Sequence, residues 1–384
     1  MPEKRYLVTP GPTPVPPEVL AATARPMIHH RSPDFRGTLA RVIERLKVVF
    51  RTENDVLLFT SAGTAALESA VANICSPGDR VLVVSHGYFG ERWAAIARAY
   101  GLDVEHLAYE WGETPAPDDV AARLEAMGGA EAVYVTHSET STGVVSDVQA
   151  IAERVAGSDA LLCVDAISSL AAVPLETDAW GIDVAITSSH KALMCPAGLA
   201  FAAVSPAALD AGETASCPRF YTDWERTRAA QEQGENPFSV AISLVVGLDV
   251  ALALLLEEGL EEAYERHVRL GRACRAGVKA TGLQLFSPDE DASAVVTAIR
   301  MPPEVDGGAI VLSMRERSGV TAIGGQGQLK GKLVRIGHIG YIDVYDVTTA
   351  LAALELALVE AGADVERGAA VPAALDAWAQ PVAV

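Results

Sequence analysis

The stretches LLCVDAISS (residues 161–169) and VAITSSHKALMCPAGL (residues 184–199) decide the fold of this chain. Each begins with a run of apolar and β-branched residues, which is typical of a buried strand. Asp165 ends the first run, and Lys191 closely follows the second. In open α/β sheets ligands bind outside the carboxyl ends of the strands. Both side chains are therefore candidates for a functional site.

Similar apolar runs alternate with helical patterns on either side of these two stretches. Strands are predicted at residues 56–59, 80–84, 132–135, 161–164, 184–187 and 199–204. Helices are predicted between several of them, at 65–74, 91–100 and 148–155. This alternation predicts an α/β fold with a large, mostly parallel central sheet.

The chain changes character at both ends. The first 17 residues include PGPTPVPP, which predicts an arm that is too extended to bury itself. From about Gly259 a charged helix (261–272) precedes short strand-like runs, and the alanine- and proline-rich tail after Gly362 is expected to be peripheral. We therefore expect an N-terminal arm (1–20), a large domain (21–258) and a smaller C-terminal α/β domain (259–384).

The charge balance excludes two classes of partner. The chain has 384 residues and a net charge of −20, with 50 acidic and 30 basic side chains. A surface this acidic repels nucleic acid and anionic lipid, so neither is expected as a partner. Any site for an anion must then be made by local groups.

Cysteine usage and the apolar runs indicate a cytoplasmic protein. The five cysteines are scattered without metal-ligand spacing, so reduced thiols and no metal site are expected. The N-terminus has no apolar run that could be a signal peptide. The most apolar stretch, residues 239–256, contains Asp249 and is short for a membrane span. This stretch is predicted to form a buried helix that lies at a subunit interface.

Two of the candidate residues have complementary chemistry. Lys191 stands between an apolar strand and an apolar, glycine-containing loop. A desolvated amine loses its proton more readily, as an amine nucleophile must. Asp165, 26 residues earlier, could pair with a buried cation, although a helix cap is the alternative interpretation.

Three further features could complete a site. TSAGT (60–64) follows a strand and opens a helix, so free N–H groups and the helix dipole favour a phosphate there. Phe89 in HGYFG could stack on a flat ring, or be a core aromatic. Arg335 in LVRIGHIG offers a fork for a carboxylate, unless it makes a surface salt bridge.

Together these groups suit pyridoxal 5'-phosphate, which needs an imine-forming lysine, an acid for its ring nitrogen and a phosphate cradle. The ordered motifs SAGTAALE, THSETSTG, VDAISS, SSHKAL and VRIGHIGY also match a known family. The chain resembles the class V aminotransferases on the fold-type I scaffold, most closely the alanine/serine–glyoxylate aminotransferase group. The resemblance runs from PGPTP to RIGHIG.

The resemblance implies a role for each matching residue. Lys191 would carry the cofactor and shuttle protons, Asp165 would pair with the pyridine nitrogen, and Arg335 would clamp the substrate carboxylate. The cofactor-binding residues would be Ala62, Gly63, Thr64, Phe89, Thr140, Asp165, His190 and Lys191. Ser239 falls where the family often places a threonine that reaches the neighbouring subunit's phosphate. A homodimer with shared sites is thus implied.

Other functions stay open at this point. The substrates are expected to be a small amino acid and a 2-oxo acid. The donor could be alanine, serine, aspartate or ureidoglycine, and the acceptor is glyoxylate, with pyruvate next. A cysteine desulfurase shares the scaffold but needs a mobile-loop cysteine, and residues 282–334 contain none. A non-catalytic subunit that binds the cofactor is the remaining alternative.

Overall fold

A computed structural model describes residues 4–290 and 292–381. Its strands are β1 (Tyr6–Leu7), β2 (Asp55–Phe59), β3 (Arg80–Ser85), β4 (Asp103–Ala108), β5 (Ala132–Thr136), β6 (Ser138–Glu139), β7 (Val144–Val145), β8 (Leu161–Asp165), β9 (Val184–Ser188), β10 (Ala200–Val204), β11 (Gln284–Leu285), β12 (Val296–Arg300), β13 (Val320–Thr321), β14 (Ile323–Gly324) and β15 (Leu333–Gly337). Its α-helices are α1 (Pro17–Thr23), α2 (Pro33–Phe50), α3 (Gly63–Ile74), α4 (Tyr88–Ala99), α5 (Pro117–Met127), α6 (Val148–Val155), α7 (Pro206–Thr214), α8 (Trp224–Gln231), α9 (Ile242–Glu258), α10 (Leu260–Ala280), α11 (Gly307–Ser318), α12 (Val344–Glu360) and α13 (Ala370–Ala379).

The main sheet has seven strands in the order β2-β10-β9-β8-β5-β3-β4. Only β10 runs antiparallel to its neighbours, so the other six strands share one direction. The predicted mostly parallel α/β sheet is therefore confirmed. The edge strand β4 was not predicted, because its sequence DVEHLA has no apolar run and its side chains are only half-buried.

Helices cover both faces of this sheet. Strands β5, β8, β9 and β10 are buried almost throughout, as expected for strands covered on both sides. One apolar cluster joins α2, α6 and α9 to one face, and a second joins α3 and α4 to the other. This two-sided burial explains why the strands read as continuous apolar runs.

A second sheet of four strands, β11-β12-β15-β14, follows in the chain. It packs with α10, α11 and α12 around an apolar cluster of its own. Helix α13 also contributes to this cluster through Ala370 and Ala374. The expectation of a peripheral tail is wrong here, because the alanines let α13 lie closely against α10 and α12.

The proline-rich N-terminal segment is extended but does not project from the chain. Strand β1 pairs in parallel with β13, and Val8 accepts a 2.8 Å hydrogen bond from the Gly337 N–H. Val8, Thr9 and Thr13 are buried. The prediction that the arm cannot bury itself is wrong, because the backbone of β13 and β15 supplies its hydrogen bonds.

The most apolar stretch forms α9, which packs against α1 and α2. Its Asp249 forms ion pairs with Arg41 and Arg45 of α2. In the parts of the chain that the structure describes, no helix is long and apolar enough to cross a membrane. The interpretation as a packed helix is therefore in agreement with the structure.

Candidate active site

The parallel strands bring the predicted site residues to one edge of the main sheet. Strands β2, β5, β8 and β9 end there. Asp165 is the last residue of β8, the 60–64 loop follows β2, Lys191 follows β9, and Thr140 follows the short strand β6 that comes after β5. The chain links these segments only through long connections. Their proximity is therefore a consequence of strand order, not of sequence spacing.

Lys191 is buried, with 8% of its surface exposed, and its Nζ donates a 2.5 Å hydrogen bond to the Pro10 carbonyl. Burial lowers the pKa of this amine to about 8, although Asp165 opposes the shift. The N-terminal segment packs directly on the lysine. Gly11 has a φ of +137°, and a Cβ there would lie 2.4 Å from Lys191 Nζ. Only glycine fits this position without moving the amine.

Asp165 ends β8 and is 4% exposed. Its Oδ1 accepts a 2.9 Å hydrogen bond from the Ile167 N–H, but residues 167–172 form turns, so the helix cap considered from the sequence is not present. Burial raises the pKa of Asp165 to about 6, although Lys191 and Arg92 oppose the shift. A buried carboxylate with one hydrogen bond can take a further, cationic partner.

The 60–64 loop ends at the N-terminus of α3, which is 12 residues long. The N-cap is Ala62, whose side chain cannot accept a hydrogen bond from the first turn. A Cβ on Gly63 would lie 2.7 Å from Ile167 Cδ1, so the first turn approaches the β8 loop closely. These N–H groups and the helix dipole can hold an anion.

The buried polar atoms without a partner among the described residues include Ser61 Oγ in this loop, Ser188 Oγ at the end of β9 and His190 Nδ1 beside Lys191. A Cβ on Gly63 would lie 3.4 Å from Ser188 Cβ, so β9 ends against the same loop. Burial and the neighbouring Lys191 lower the pKa of His190 to about 4, so its ring is neutral at pH 7. Ser61 belongs to the TSAGT loop, but the sequence did not predict it as a site residue.

Phe89 lies in the first turn of α4 and is half-buried. Arg92, one turn later, places its guanidinium 4.9 Å from the Phe89 ring centroid and 3.4 Å from Thr64 Oγ1. It is a cation beside the candidate anion loop. Arg92 was not predicted from the sequence, since an arginine within a helix is most often a surface charge.

Arg335 lies in β15 and is only 1% exposed. Its Nε and Nη2 donate to the Gly324 carbonyl at 3.0 and 2.8 Å, and its Nη1 donates to the carbonyl of buried Thr140 at 2.7 Å. Burial lowers the pKa of Arg335 to about 10. All its hydrogen bonds among the described residues go to backbone carbonyls, so the surface salt-bridge alternative is wrong. The guanidinium keeps its charge for another anion.

Ser239 does not join this group directly. It lies in the loop before α9, at a small cavity lined also by Thr60, Tyr221 and Phe238. Tyr221 and Phe238 stack at 5.2 Å between ring centroids. The predicted role of Ser239 concerns a second subunit and stays a prediction.

The arrangement fits pyridoxal 5'-phosphate. An uncapped helix start and unpartnered buried polar atoms suit a phosphate, a buried amine suits an aldehyde, and a buried carboxylate suits a protonated ring nitrogen. In the described residues there is no group of three or more His, Cys, Asp or Glu side chains that could hold a metal ion.

Comparisons with known proteins agree with this geometry. Residues 5–337 match the family "Aminotransferase class-V". The soluble hydrogenase 42 kDa subunit of Anabaena cylindrica is 42% identical over 97% of this chain and 98% of its own length. Serine–glyoxylate aminotransferase of Methylorubrum extorquens is 39% identical over 97% of this chain and 96% of its own. The crystal structure of ureidoglycine–glyoxylate aminotransferase from Bacillus subtilis has a TM-score of 0.94 at 32% identity, covering 99% of both chains.

The fold and these matches define a pyridoxal-phosphate-dependent enzyme of the aminotransferase type. The matched region includes both sheets and every candidate site residue. The chain belongs to the class-V aminotransferases, and pyridoxal 5'-phosphate is its cofactor. The family resemblance stated from the sequence motifs is thereby confirmed.

Proposed function

We propose that this enzyme moves an amino group from a small amino acid to glyoxylate. The observation that carries the proposal is Arg335, a buried guanidinium whose hydrogen bonds among the described residues go only to carbonyls. Amino acids and 2-oxo acids share a carboxylate, which this fork can hold in both half-reactions. The names of relatives such as the Methylorubrum extorquens enzyme support glyoxylate as the acceptor.

The proposed chemistry divides between a lysine and an aspartate. The bound cofactor supplies an electrophilic carbon and an electron-withdrawing ring. Lys191 holds that carbon and moves a proton at the substrate's α-carbon, for which an amine pKa of about 8 is suitable. Asp165 keeps a proton on the ring nitrogen by ion pairing.

The remaining residues position the cofactor. In the proposal, Ala62, Gly63 and Thr64 hold the phosphate through the start of α3, with His190 beside them. Phe89 stacks on the ring, and Thr140 contacts the ring hydroxyl. Ser239 reaches the phosphate of the neighbouring subunit.

The cysteines argue against the desulfurase alternative. All five are buried. A sulfur acceptor must expose its thiolate to the substrate, and burial raises the pKa of Cys195 to about 12 and that of Cys274 to about 11. Neither thiol is suited to that reaction.

A half-reaction panel tests the proposed function. The purified enzyme with its cofactor would be mixed separately with alanine, serine, aspartate and ureidoglycine, and loss of the visible absorption band would be followed. We expect at least one small amino acid to bleach the band and glyoxylate to restore it. An enzyme that bleaches with none of them, or is not restored by glyoxylate, would contradict the proposal.

Substitutions at Arg335 test the shared carboxylate clamp. We expect Arg335→Lys to raise KM for both donor and glyoxylate, because lysine keeps the charge but not the planar fork. Arg335→Ala should raise KM further, by roughly 30-fold or more, as expected when a buried charged partner is lost. The visible band of the resting enzyme should remain. If KM changes for only one substrate, Arg335 binds the side chain of that substrate and not a carboxylate common to both.

We also propose a homodimer with shared active sites, in the cytoplasm. Large apolar side chains stay exposed on the single chain, including Met27, Phe220 and Tyr345. Such side chains suit burial against a second copy. Light scattering at the assay concentration is expected to give twice the chain mass. A fully active monomer would contradict shared sites.

The domain division is proposed with the same boundaries as above. The main sheet and the four-stranded sheet have largely separate apolar clusters, which supports a large domain (21–258) and a small one (259–384). Limited proteolysis near Gly259 would test the second boundary.

A further inference from the structure

A buried glutamate that none of the roles above uses lies beside the candidate site. Glu139 ends β6 and is 0% exposed, and no Lys, Arg or His of the described residues lies within ion-pair distance. A buried carboxylate without an ionic partner must be stabilised by hydrogen bonds to its charged form. The hydrogen-bond donors around Glu139 therefore indicate which part of the structure this carboxylate stabilises.

Each oxygen of Glu139 accepts two hydrogen bonds. Oε2 accepts from the backbone N–H groups of Phe89 and Gly90, at 2.9 and 3.2 Å. Oε1 accepts from the N–H and hydroxyl of Ser141, at 3.0 and 2.6 Å. The first pair belongs to the first turn of α4, where helix N–H groups have no partner within the helix.

The helix depends on this contact because its own N-cap is Gly87, which has no side chain to accept a bond. A Cβ on Gly87 would lie 2.4 Å from Glu139 Cγ and 2.6 Å from Ser141 Oγ. Glycine thus admits the carboxylate to the end of α4. The capping group comes from another strand, about fifty residues further along the chain.

The loop that carries Glu139 is itself fixed. The Glu139 carbonyl accepts a 2.8 Å hydrogen bond from the Gly143 N–H, and the Thr140 carbonyl accepts one from Arg335 Nη1 at 2.7 Å. Ser141 Oγ also accepts from the Tyr88 N–H at 2.9 Å. Residues 139–141 therefore link the Arg335 side of the site to the Phe89 side.

We propose that Glu139 is a positioning residue that holds the first turn of α4, and with it the Phe89 ring, in the place where the cofactor ring stacks. This inference rests on the stacking role proposed for Phe89. Glu139 acts through the backbone of α4 and does not contact the cofactor itself.

A double-mutant cycle on the cofactor-loaded enzyme tests the inference. Cofactor release on dilution and the visible circular dichroism of the bound cofactor would be measured in Glu139→Ala, Phe89→Ala and the double variant. We expect Glu139→Ala to weaken cofactor retention roughly tenfold, because two buried N–H groups lose their acceptor. In the Phe89→Ala background the same change should have little further effect, since both substitutions remove one interaction.

Glu355→Ala is the matched control. Glu355 is also buried and caps another helix start, accepting from Gly368 N and Ala370 N at 3.3 and 3.0 Å near α13. It should lower thermal stability without changing the cofactor's circular dichroism. Additive effects of the Glu139 and Phe89 changes would overturn the positioning role. No effect of Phe89→Ala alone would instead remove the stacking role and, with it, this inference.

Two conservative variants keep the test decisive if Glu139→Ala does not fold. Glu139→Gln retains the length and one oxygen for the α4 N–H groups. Its NH₂ can donate to Ser141 Oγ, while the Ser141 N–H loses its acceptor. Glu139→Asp retains the charge but is one methylene shorter. We expect the glutamine variant to keep cofactor retention within about threefold of wild type and the aspartate variant to lose roughly tenfold. The opposite order would show that the charge, not the position, matters.

Discussion

Replacing Lys191 by alanine is expected to abolish transamination. The amine both holds the cofactor and moves the proton at the substrate carbon, and proton transfer alone typically contributes about 10²–10⁴-fold to a rate. His190, the adjacent base, has its pKa lowered to about 4 and is a weak proton acceptor at neutral pH.

The measurement is steady-state turnover with the best donor and glyoxylate, together with the visible absorption of the cofactor. Lys191→Ala should lose the absorption band of the resting enzyme as well as the rate. Lys279→Ala, which removes a half-exposed lysine on α10, is the control and should leave both unchanged. Residual activity within about tenfold of wild type, roughly 1.4 kcal/mol of barrier, would remove Lys191 from this role.

Substituting Asp165 by asparagine is expected to keep the cofactor bound and lose most of the rate. Asparagine has the same shape, and its side-chain oxygen can still accept the hydrogen bond from the Ile167 N–H. It cannot form an ion pair with a protonated ring nitrogen. A hydrogen bond to a charged group is worth about 1.5–3 kcal/mol, so we expect a decrease in kcat of roughly tenfold to a hundredfold.

The pH profile separates this role from that of a hydrogen bond within a turn. Burial raises the pKa of Asp165 to about 6, so the carboxylate is ionised above that pH and is protonated as the pH falls through it. A cationic partner would lower that value. The wild-type rate should therefore decrease as the pH falls to about 6 or below. The pH–rate profile of Asp165→Asn should lack this decrease. A near-normal kcat in the variant would show that Asp165 only accepts the turn hydrogen bond from the Ile167 N–H.

Much of the fold was predictable because buried parallel strands have a simple sequence pattern. The runs ending at Asp165 and Ser188 are apolar almost throughout, and the structure places both in the centre of the sheet. Strand β4, at one edge of the sheet, was not predicted because its side chains are only half-buried and its sequence DVEHLA contains no apolar run. The burial of α13 was missed for a related reason, since alanine-rich helices carry little periodic signal.

The candidate site was also predictable in part. Lys191, Asp165 and Arg335 are charged residues in apolar or glycine-rich surroundings, and the structure buries all three. Arg92 was missed because an arginine within a helix is most often a surface charge, and Glu139 was missed because it lies among the polar residues of THSETSTG. Only the tertiary contacts of α4 indicate a role for either residue. Arg92 contacts Thr64 of the 60–64 loop, and Glu139 accepts a hydrogen bond from the Phe89 N–H.

By itself, the sequence determined the sheet, the family and the chemistry of the principal residues, because burial and ligand binding restrict which side chains are allowed. The tertiary structure alone decided how these residues meet. It folds the proline-rich segment onto Lys191 through the Pro10 carbonyl, and it caps α4 with Glu139. Both contacts join backbone groups to side chains far away in the chain. A backbone N–H or carbonyl is present at nearly every position, so the sequence does not indicate which backbone group a given side chain will contact.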